Sequence, residues 1–239
     1  MPGARNNKVY VLATSRSWNE GMAERLSART GYDFVLITSK EDLTTAHLTS
    51  INPEIIFFPH WSYRIDASVF GRFESVIFHM TDLPFGRGGS PLQNLIVRGI
   101  YETKISALRC VEEMDGGPIY LKKPLTLHGS AEEIFLRASK TTEEMIVEIL
   151  EKKLKPIAQT GESTLFKRRR PEESNLAVAS SLDQLFDMIR MLDAEGYPNA
   201  FLDVGDFRLE FTRAARKQDQ VIADVRITLA KQKKVSRHD

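Results

Sequence analysis

The stretch KVYVLATSRSWNEGMAERLSARTGYDFVLIT, residues 8–38, decides the fold because two apolar runs flank an amphipathic segment. The runs KVYVLAT (8–14) and DFVLIT (33–38) have the composition of buried strands. Between them Trp18, Met22 and Leu26 recur every four residues, which predicts a helix with one face on a sheet. A strand, a helix and another strand in this order are typical of the α/β class.

Four further strands are predicted in the first two-thirds of the chain. The runs are residues 54–61, 74–80, 104–112 and 117–127. Pro59 lies within the first of them. Because proline cannot donate a ladder hydrogen bond, it predicts the carboxyl end of that strand.

Two helices are predicted before the chain changes character near its C-terminal end. Capping boxes begin at Ser130 and Ser181, and they predict one helix that runs to about Leu154 and a second, shorter amphipathic helix. Short runs rich in Val, Phe and Ile follow, at residues 197–204, 207–216 and 220–229. They predict two or three antiparallel strands, with a domain boundary near residues 167–175 and a frayed tail at 230–239.

The composition excludes several classes of protein. The chain has 239 residues, 33 Lys+Arg against 32 Asp+Glu, and Cys110 as its one cysteine. A net charge of +1 provides no overall attraction for nucleic acid or for an anionic membrane. There is no signal-peptide pattern, no apolar run of about 18 residues and no Cys/His cluster with metal spacing. We therefore expect a cytoplasmic protein with no metal, no nucleic-acid partner and no membrane partner.

The densest group of candidate functional residues is FHMTDLPFGRGGSPLQN, residues 78–94. His79 ends an apolar strand, and a turn with three glycines follows it. Glycines at the carboxyl end of a sheet let backbone N–H groups approach a ligand. The same pattern has a second explanation: the residues form only a tight loop between two elements, and His79 ends the strand without a catalytic role.

Asp115 lies in a second turn, Asp-Gly-Gly, between two strand candidates. Such a turn is typical of a hairpin in which the aspartate binds its own backbone. His79 and Asp115 are also the two components of an acid–base pair, provided that the fold brings them together.

Two weaker candidates complete the set. His60 and Trp61 follow Pro59 and fit either a pocket for a flat heterocycle or the core. The cationic run at residues 167–170 fits either a solvated surface or a phosphate-binding segment.

The segment His-Met-Thr-Asp-Leu-Pro from His79, with Arg87-Gly88 and Pro-Leu-Gln ending at Gln93, resembles the signature loop of the 10-formyltetrahydrofolate-dependent formyltransferases. That family places its catalytic aspartate in an Asp-x-Gly turn 36 residues after the histidine, which is the position of Asp115 here. Residues 58–64 and 166–173 resemble the pterin loop and the Arg-rich linker of the sugar N-formyltransferases. Within that branch, Asp82 and the pair Gly89-Ser90 are most similar to the pseudaminic-acid type.

The resemblance implies a Rossmann-like formyltransferase domain at residues 1–166. Residues 167–239 would form a linker, a helix and a small β-rich extension. It implies 10-formyltetrahydrofolate as co-substrate, without a metal. The acceptor would be the amine of a nucleotide-linked amino-deoxysugar, attacking the formyl carbon. The C-terminal strands are consistent with a homodimer.

The resemblance also assigns roles to individual residues. His79 and Asp115 would be catalytic. The co-substrate would contact His60, Trp61, Tyr63, Arg64 and Asp115. The acceptor would contact Thr81, Arg87, Gly88, Gly89, Gln93, Lys167 and Arg168.

One position departs from the family pattern. The family has an asparagine two residues before the histidine, where it helps to hold the developing oxyanion, and this chain has Ile77. Thr81, Asn94 and the glycine-turn amides are candidate replacements. An aminoacyl-tRNA or a carrier-bound amine remains an alternative acceptor, and a non-catalytic folate-binding relative remains an alternative function.

Overall fold

The computed structural model describes residues 8–230, so all but the first residue of the predicted frayed tail lies outside the described part. The strands are β1 Val9–Ala13, β2 Asp33–Ile37, β3 Ile56–Phe58, β4 Ser75–His79, β5 Arg87–Gly88, β6 Glu102–Arg109, β7 Ile119–Thr126, β8 Leu165–Phe166, β9 Ala200–Val204, β10 Phe207–Arg216 and β11 Val221–Leu229. The helices are α1 Met22–Thr30, α2 Thr45–Ile51, α3 Ala67–Phe70, α4 Pro91–Ile96, α5 Ala131–Lys152 and α6 Leu182–Arg190.

The central sheet has the strand order β2-β1-β3-β4-β6-β7. Strands β1 to β4 are parallel, whereas β6 pairs antiparallel with both β4 and β7. All six strands predicted for the first two-thirds of the chain are present, and β3 ends directly before Pro59 as expected. The predicted α/β class with a Rossmann-like sheet is confirmed.

The first predicted helix is interrupted. Trp18 lies in a separate 3₁₀ turn, Ser17–Asn19, and α1 begins only at Met22. The cause is Gly21, whose φ of 70° is left-handed and cannot continue a right-handed helix. Met22 and Leu26 nevertheless bury the predicted apolar face.

The central sheet is covered on both faces. Tyr10, Leu12 and Phe57 point into the larger core, which includes side chains of α1 and α5. The alternate residues of the same strands, such as Val11 and Phe58, point into a smaller core with residues of α2 and α3. The ligand-accessible part of such a sheet is its carboxyl edge.

The C-terminal region contains α6 and an antiparallel sheet of order β11-β10-β9, which confirms the predicted small β extension. The helix packs into the larger core, because Met188 and Ile189 are buried there together with Leu12. The division into residues 1–166 and 167–239 stays a prediction. No helix within residues 8–230 is both long and apolar enough to cross a membrane.

Candidate active site

The candidate site is built around His79, the last residue of β4 at the carboxyl edge of the sheet. Its side chain is buried, with 9% exposure. The imidazole Nε2 lies 2.8 Å from the carbonyl oxygen of Gly86, and Nδ1 lies 3.5 Å from Oδ2 of Asp115. His79 and Asp115 are therefore neighbours in the fold, although they are 36 positions apart in the sequence.

Asp115 reaches this position from the turn between β6 and β7, which form a hairpin as the sequence indicated. Its backbone is left-handed, with a φ of 51°. The carboxylate does not cap its own turn. Instead, Oδ2 accepts a hydrogen bond of 2.8 Å from the Gly88 N–H, so the carboxylate joins the glycine turn to the histidine.

The hydrogen bonds of His79 indicate its tautomer. Gly86 offers only a carbonyl oxygen, so Nε2 carries the proton and donates it. In the neutral ring Nδ1 is then the unprotonated nitrogen, and it faces Asp115. A proton accepted at Nδ1 would lie between the imidazole and the carboxylate.

The glycines of the turn lie against the segment that follows β8. A Cβ on Gly88 would come within 2.5 Å of the Phe166 carbonyl oxygen, and one on Gly89 within 2.6 Å of the Arg168 Cβ. Strands β5 and β8 pair at this seam. Any larger residue would push the two segments apart.

Arg87 is held by protein groups on this seam. Its guanidinium donates to Glu113 at 2.6 Å and to the Gln159 side-chain oxygen at 2.8 Å. The amide nitrogen of Gln159 donates in turn to the carbonyl oxygens of Asp115 and Gly117. Gln159 thus supports the aspartate turn, although it lies in a polar stretch with no motif and sequence reasoning missed it.

Two residues predicted to bind the acceptor make hydrogen bonds within the protein. Thr81 is fully buried, and its hydroxyl donates to the Gly86 carbonyl oxygen. Gln93 is 4% exposed and donates to the Met191 carbonyl oxygen, which ties α4 to the end of α6. Both side chains are engaged within the protein, and their contact with a substrate stays a prediction.

The candidate replacements for the missing oxyanion donor are also occupied. The Asn94 amide donates to the carbonyl oxygens of Gly89, Ser90 and Lys167. The Thr81 hydroxyl donates to the Gly86 carbonyl oxygen. The backbone N–H groups of residues 86–89 all have acceptors within the protein. None of the candidates replaces the asparagine as the structure stands.

The predicted pterin loop divides between the two faces of the sheet. His60 packs between Trp18 and Phe135 on the larger core, with ring centroids 4.9 and 4.7 Å away. Trp61 packs against Phe58 on the smaller core, at 6.0 Å. By strand alternation His79 also lies on the smaller-core side, so Trp61 shares its face and His60 does not.

The environment of His60 is too apolar for a charge. Burial and the nearby Arg16 cation lower the pKa of His60 to about 3. Its Nε2 lies 3.2 Å from the hydroxyl of Tyr197. It lines a small cavity of about 30 Å³ together with Trp18 and Phe135, and its contact with the co-substrate stays a prediction.

The remaining predicted ligands are on the surface. Tyr63 is 46% exposed, contacts Trp61 and lies under the Lys40 ammonium. Arg64, Lys167 and Arg168 are exposed as well. Within residues 8–230 there is no cluster of three or more His, Cys, Asp or Glu side chains that could hold a metal ion.

Comparison with known proteins agrees with this fold. Residues 171–228 match the family model for the methionyl-tRNA formyltransferase C-terminal domain. A structure described as methionyl-tRNA formyltransferase from Clostridium thermocellum is 49% identical, with a TM-score of 0.91 over 93% of this chain and 100% of that chain. A likely sugar N-formyltransferase, Rv3404c from Mycobacterium tuberculosis, shares the fold at 16% identity and a TM-score of 0.66, over 95% of this chain and 99% of that one.

A curated relative, the methionyl-tRNA formyltransferase of Thermodesulfovibrio yellowstonii, is 25% identical over 159 residues. The match covers 63% of this chain and 52% of the relative, so the chain spans about half the length of that protein.

The fold and the site define an α/β protein with an imidazole–carboxylate pair at the carboxyl edge of a parallel sheet. The similarity to the Clostridium thermocellum structure makes the assignment specific. The chain belongs to the methionyl-tRNA formyltransferase-like family of formyltransferases. Its resemblance to that family is confirmed, and its place in the sugar branch stays a prediction.

Proposed function

We propose that the chain transfers a formyl group from 10-formyltetrahydrofolate to the amine of a nucleotide-linked amino-deoxysugar. The observation that carries the proposal is the contact between His79 Nδ1 and Asp115 Oδ2 at the carboxyl edge of the sheet. Family membership supplies the reaction class, and the pair supplies the proton transfer that this reaction needs.

The co-substrate supplies the formyl group when it is bound. The residues on the smaller-core side of the sheet, which His79 shares with Trp61, fit its pterin ring. The Trp61 indole Nε1 is buried and has no hydrogen-bond partner among the described residues. Tyr63 presents an exposed ring beside it. A flat heterocycle with a ring acceptor would satisfy the indole N–H and stack on an aromatic surface.

The acceptor amine must be neutral to attack, and it loses a proton as the new C–N bond forms. We assign that proton to His79 Nδ1, because Nε2 is committed to Gly86. Asp115 then stabilises the charged imidazole. The tetrahedral intermediate collapses by breaking the bond between the formyl carbon and N10, and the imidazolium returns its proton to that leaving nitrogen, so that a formamide and tetrahydrofolate are released. The Gly88 N–H fixes the carboxylate at the distance this requires, so Asp115 positions the histidine as well as stabilising its charge.

A sugar acceptor is favoured over an aminoacyl-tRNA by the charge of the C-terminal region. Several of its arginines are paired with carboxylates, as in Arg208 with Asp203 and Arg216 with Asp183. A tRNA surface needs cations that are free to release counterions. Methionyl-tRNA is the second candidate, because the relative at 49% identity is described by that activity.

The test incubates the protein with 10-formyltetrahydrofolate and a panel of acceptors, and follows tetrahydrofolate release and product mass. The panel contains UDP- and CMP-linked amino sugars and methionyl-tRNA. A product heavier by one formyl group identifies the acceptor. Turnover of methionyl-tRNA alone would replace the sugar proposal, and folate binding without turnover of any acceptor would favour the non-catalytic alternative.

Variants test the mechanism separately. We expect His79→Ala and Asp115→Asn to lower kcat by at least about a hundredfold, as for loss of a general base. The matched controls His47→Ala and Asp33→Asn change an exposed histidine on α2 and an exposed aspartate at the start of β2, and both should retain activity. Normal turnover in either site variant would remove the assigned mechanism.

A further inference from the structure

The side chain of Gln159 joins the turn that carries Asp115 to strand β5. Its chain segment is fixed by the backbone, because Ile157 and Ile119 exchange two hydrogen bonds of 2.9 and 2.8 Å at the start of β7. The Asp115 turn directly precedes β7. The bridge is antiparallel, so Gln159 lies opposite Gly117 in that turn.

The two ends of the Gln159 amide have different partners. Its Oε1 accepts hydrogen bonds from Arg87 Nη2 at 2.8 Å and from Arg87 Nε at 3.2 Å. A guanidinium can only donate, so the oxygen of the amide faces Arg87 and the nitrogen faces the turn. There Nε2 donates to the carbonyl oxygens of Asp115 at 2.7 Å and Gly117 at 2.8 Å. Arg87 therefore fixes the orientation in which the amide nitrogen supports the turn.

Asp115 needs this support because its backbone is strained. Its φ of 51° is left-handed, a conformation that residues other than glycine seldom adopt and keep only when their surroundings impose it. Gln159 holds the carbonyl oxygen of that same residue. Within residues 8–230 no other group donates a hydrogen bond to the carbonyl oxygen of Asp115 or of Gly117. Loss of the Gln159 amide would leave both oxygens without their donor.

The side chain of Asp115 is held separately from its backbone. Oδ2 accepts a hydrogen bond of 2.8 Å from the Gly88 N–H and lies 3.5 Å from His79 Nδ1. Gly88 and Arg87 are the two residues of β5. This strand therefore holds Asp115 twice, directly through the Gly88 N–H and indirectly through Arg87 and Gln159. The first contact fixes a carboxylate oxygen, and the second fixes the backbone from which the carboxylate extends.

Arg87 is held independently of Gln159. Its side chain is only 12% exposed, and Nη1 donates to Glu113 at 2.6 Å. A substitution at Gln159 therefore leaves the guanidinium a partner, whereas the two carbonyl oxygens of the turn lose theirs. Gln159 itself is partly exposed, so it is not a core residue.

We propose that Gln159 is a positioning residue for formyl transfer, and that it acts on His79 through the Asp115 carboxylate. The inference rests on the proposed function, in which Asp115 stabilises the charged imidazole. A displacement of about 1 Å in a catalytic site can lower a rate about a hundredfold. A turn that relaxes from its left-handed conformation would move the carboxylate relative to Nδ1. Gln159 prevents that movement and takes no part in the proton transfer.

Two variants separate the donor role of Gln159 from its contact with Arg87. Gln159→Leu removes both, whereas Gln159→Glu keeps an oxygen for Arg87 but, at neutral pH, places a second acceptor against the two carbonyl oxygens. We expect each to lower kcat about tenfold or more in steady-state assays. Full activity of Gln159→Glu would mean that only the contact with Arg87 matters, and it would overturn the proposal.

The matched control is Gln184→Leu. That side chain also makes two hydrogen bonds, both with Ser180 before α6, but it is exposed and belongs to the C-terminal region. This variant should keep the kcat of the unsubstituted protein.

A double-mutant cycle tests the route through Asp115. If Gln159 acts by placing this carboxylate, Gln159→Leu has little left to disturb in an Asp115→Asn protein. We expect the double variant to turn over within about twofold of Asp115→Asn. A further loss as large as that caused by Gln159→Leu alone would show that the two residues act independently, and it would overturn the proposal.

The Gly88 amide reports the position of the carboxylate without turnover, because its N–H donates to Asp115 Oδ2. In a ¹H–¹⁵N NMR spectrum of the labelled full chain, the Gly88 resonance should move in both Gln159 variants and stay in place in Gln184→Leu. Circular dichroism establishes that the variants are folded. An unchanged Gly88 resonance in folded Gln159 variants would overturn the proposal. If the unsubstituted protein transfers no formyl group, the proposed function fails, and this resonance still decides whether Gln159 places the carboxylate.

Discussion

Ile77 lies two residues before His79 on β4, and both side chains lie on the same face of the strand. An asparagine there would place an amide donor beside the imidazole. We expect Ile77→Asn to raise kcat by about tenfold or more, because a single oxyanion donor is worth roughly a hundredfold in other enzymes. The measurement is steady-state turnover with the acceptor identified above.

The same substitution should lower stability. Ile77 packs against the smaller core, so a polar amide there costs about 1–3 kcal/mol of unfolding free energy. Ile77→Val provides the control, since it adds no donor and should leave kcat unchanged. An unchanged kcat in a folded Ile77→Asn variant would show that the oxyanion is already stabilised by another group.

His60 makes the stability of the fold depend on pH. Its pKa is about 3 in the folded protein because the ring is buried, and about 6.5 in an unfolded chain. The unfolded chain therefore binds the proton first as pH falls. Stability contributed by the neutral ring is complete above about pH 6.5 and is lost progressively towards pH 3.

Urea unfolding across this range measures the effect. A His60→Gln variant has no titrating group at this position, so its unfolding free energy should fall less steeply between pH 6.5 and pH 4 than that of the unsubstituted protein. Parallel curves would contradict a neutral, buried His60.

At the residue scale, the sequence predicts His79 at the end of a strand and Asp115 in the turn of a hairpin. The structure has both there, because the strands around them are recognisable from their composition. The sequence could not show which polar side chains are already used inside the protein. Thr81 and Gln93 lie in a segment with the composition of a binding loop. However, Thr81 donates a hydrogen bond to the Gly86 carbonyl oxygen across the turn, and Gln93 donates to the Met191 carbonyl oxygen, which is distant in sequence.

At the scale of the elements, the position of α6 is held by one buried arginine. Arg190 is 2% exposed, pairs with Asp187 at 2.7 Å, and donates to the carbonyl oxygens of Leu127 and Gly129 before α5. We expect Arg190→Ala to lower the unfolding free energy by about 3–5 kcal/mol, since the buried Asp187 carboxylate loses its paired cation and keeps only the hydrogen bond from the Tyr101 hydroxyl.

The matched control is Arg208→Ala. That arginine also pairs with an aspartate at 2.7 Å, but the pair is exposed, so the change should cost less than about 1 kcal/mol. Denaturant titration of both variants gives the comparison. Equal costs would mean that α6 docks mainly through its apolar face.

The elements themselves were largely predictable, because strands with apolar runs and helices with capping boxes carry local signals. The capping box of α5 at Ser130 forms as expected. The break at Gly21 was missed because a four-residue spacing is compatible with one helix, and only the left-handed backbone of the glycine shows the interruption. The pairing of β5 with β8 has no local signal, since it joins residues 78 positions apart.

For the whole molecule, the sequence predicted separate N- and C-terminal regions but not their common core. The residues of α6 share one apolar cluster with β1 and α5, although nothing in the amphipathic pattern of α6 specifies its partner. Packing between elements that are distant in sequence depends on the complementary shapes of their side chains, and the composition of a single element does not specify its partner.

Within residues 8–230, one end of an apolar face of the antiparallel sheet is exposed, whereas Ala200, Leu202 and Phe211 on the same face pack into the larger core. Register pairs Phe207 with Leu229 and Val204, and Leu209 with Ile227, so these side chains lie on one face. Val204, Phe207, Ile227 and Leu229 are 57%, 50%, 63% and 75% exposed. Large contiguous apolar patches are rare on monomers, and a patch at an edge strand is suited to a copy of itself across a two-fold axis.

We therefore expect a homodimer through this face, as the C-terminal pattern indicated. Ile227→Lys should shift the protein to a monomer in sedimentation velocity, because it buries a charge in the interface. Ile222→Lys is the matched control: Ile222 lies on the same strand at 52% exposure but points to the opposite face, so its variant should remain dimeric. A monomeric unsubstituted protein, or equal behaviour of the two variants, would assign the apolar face to another partner.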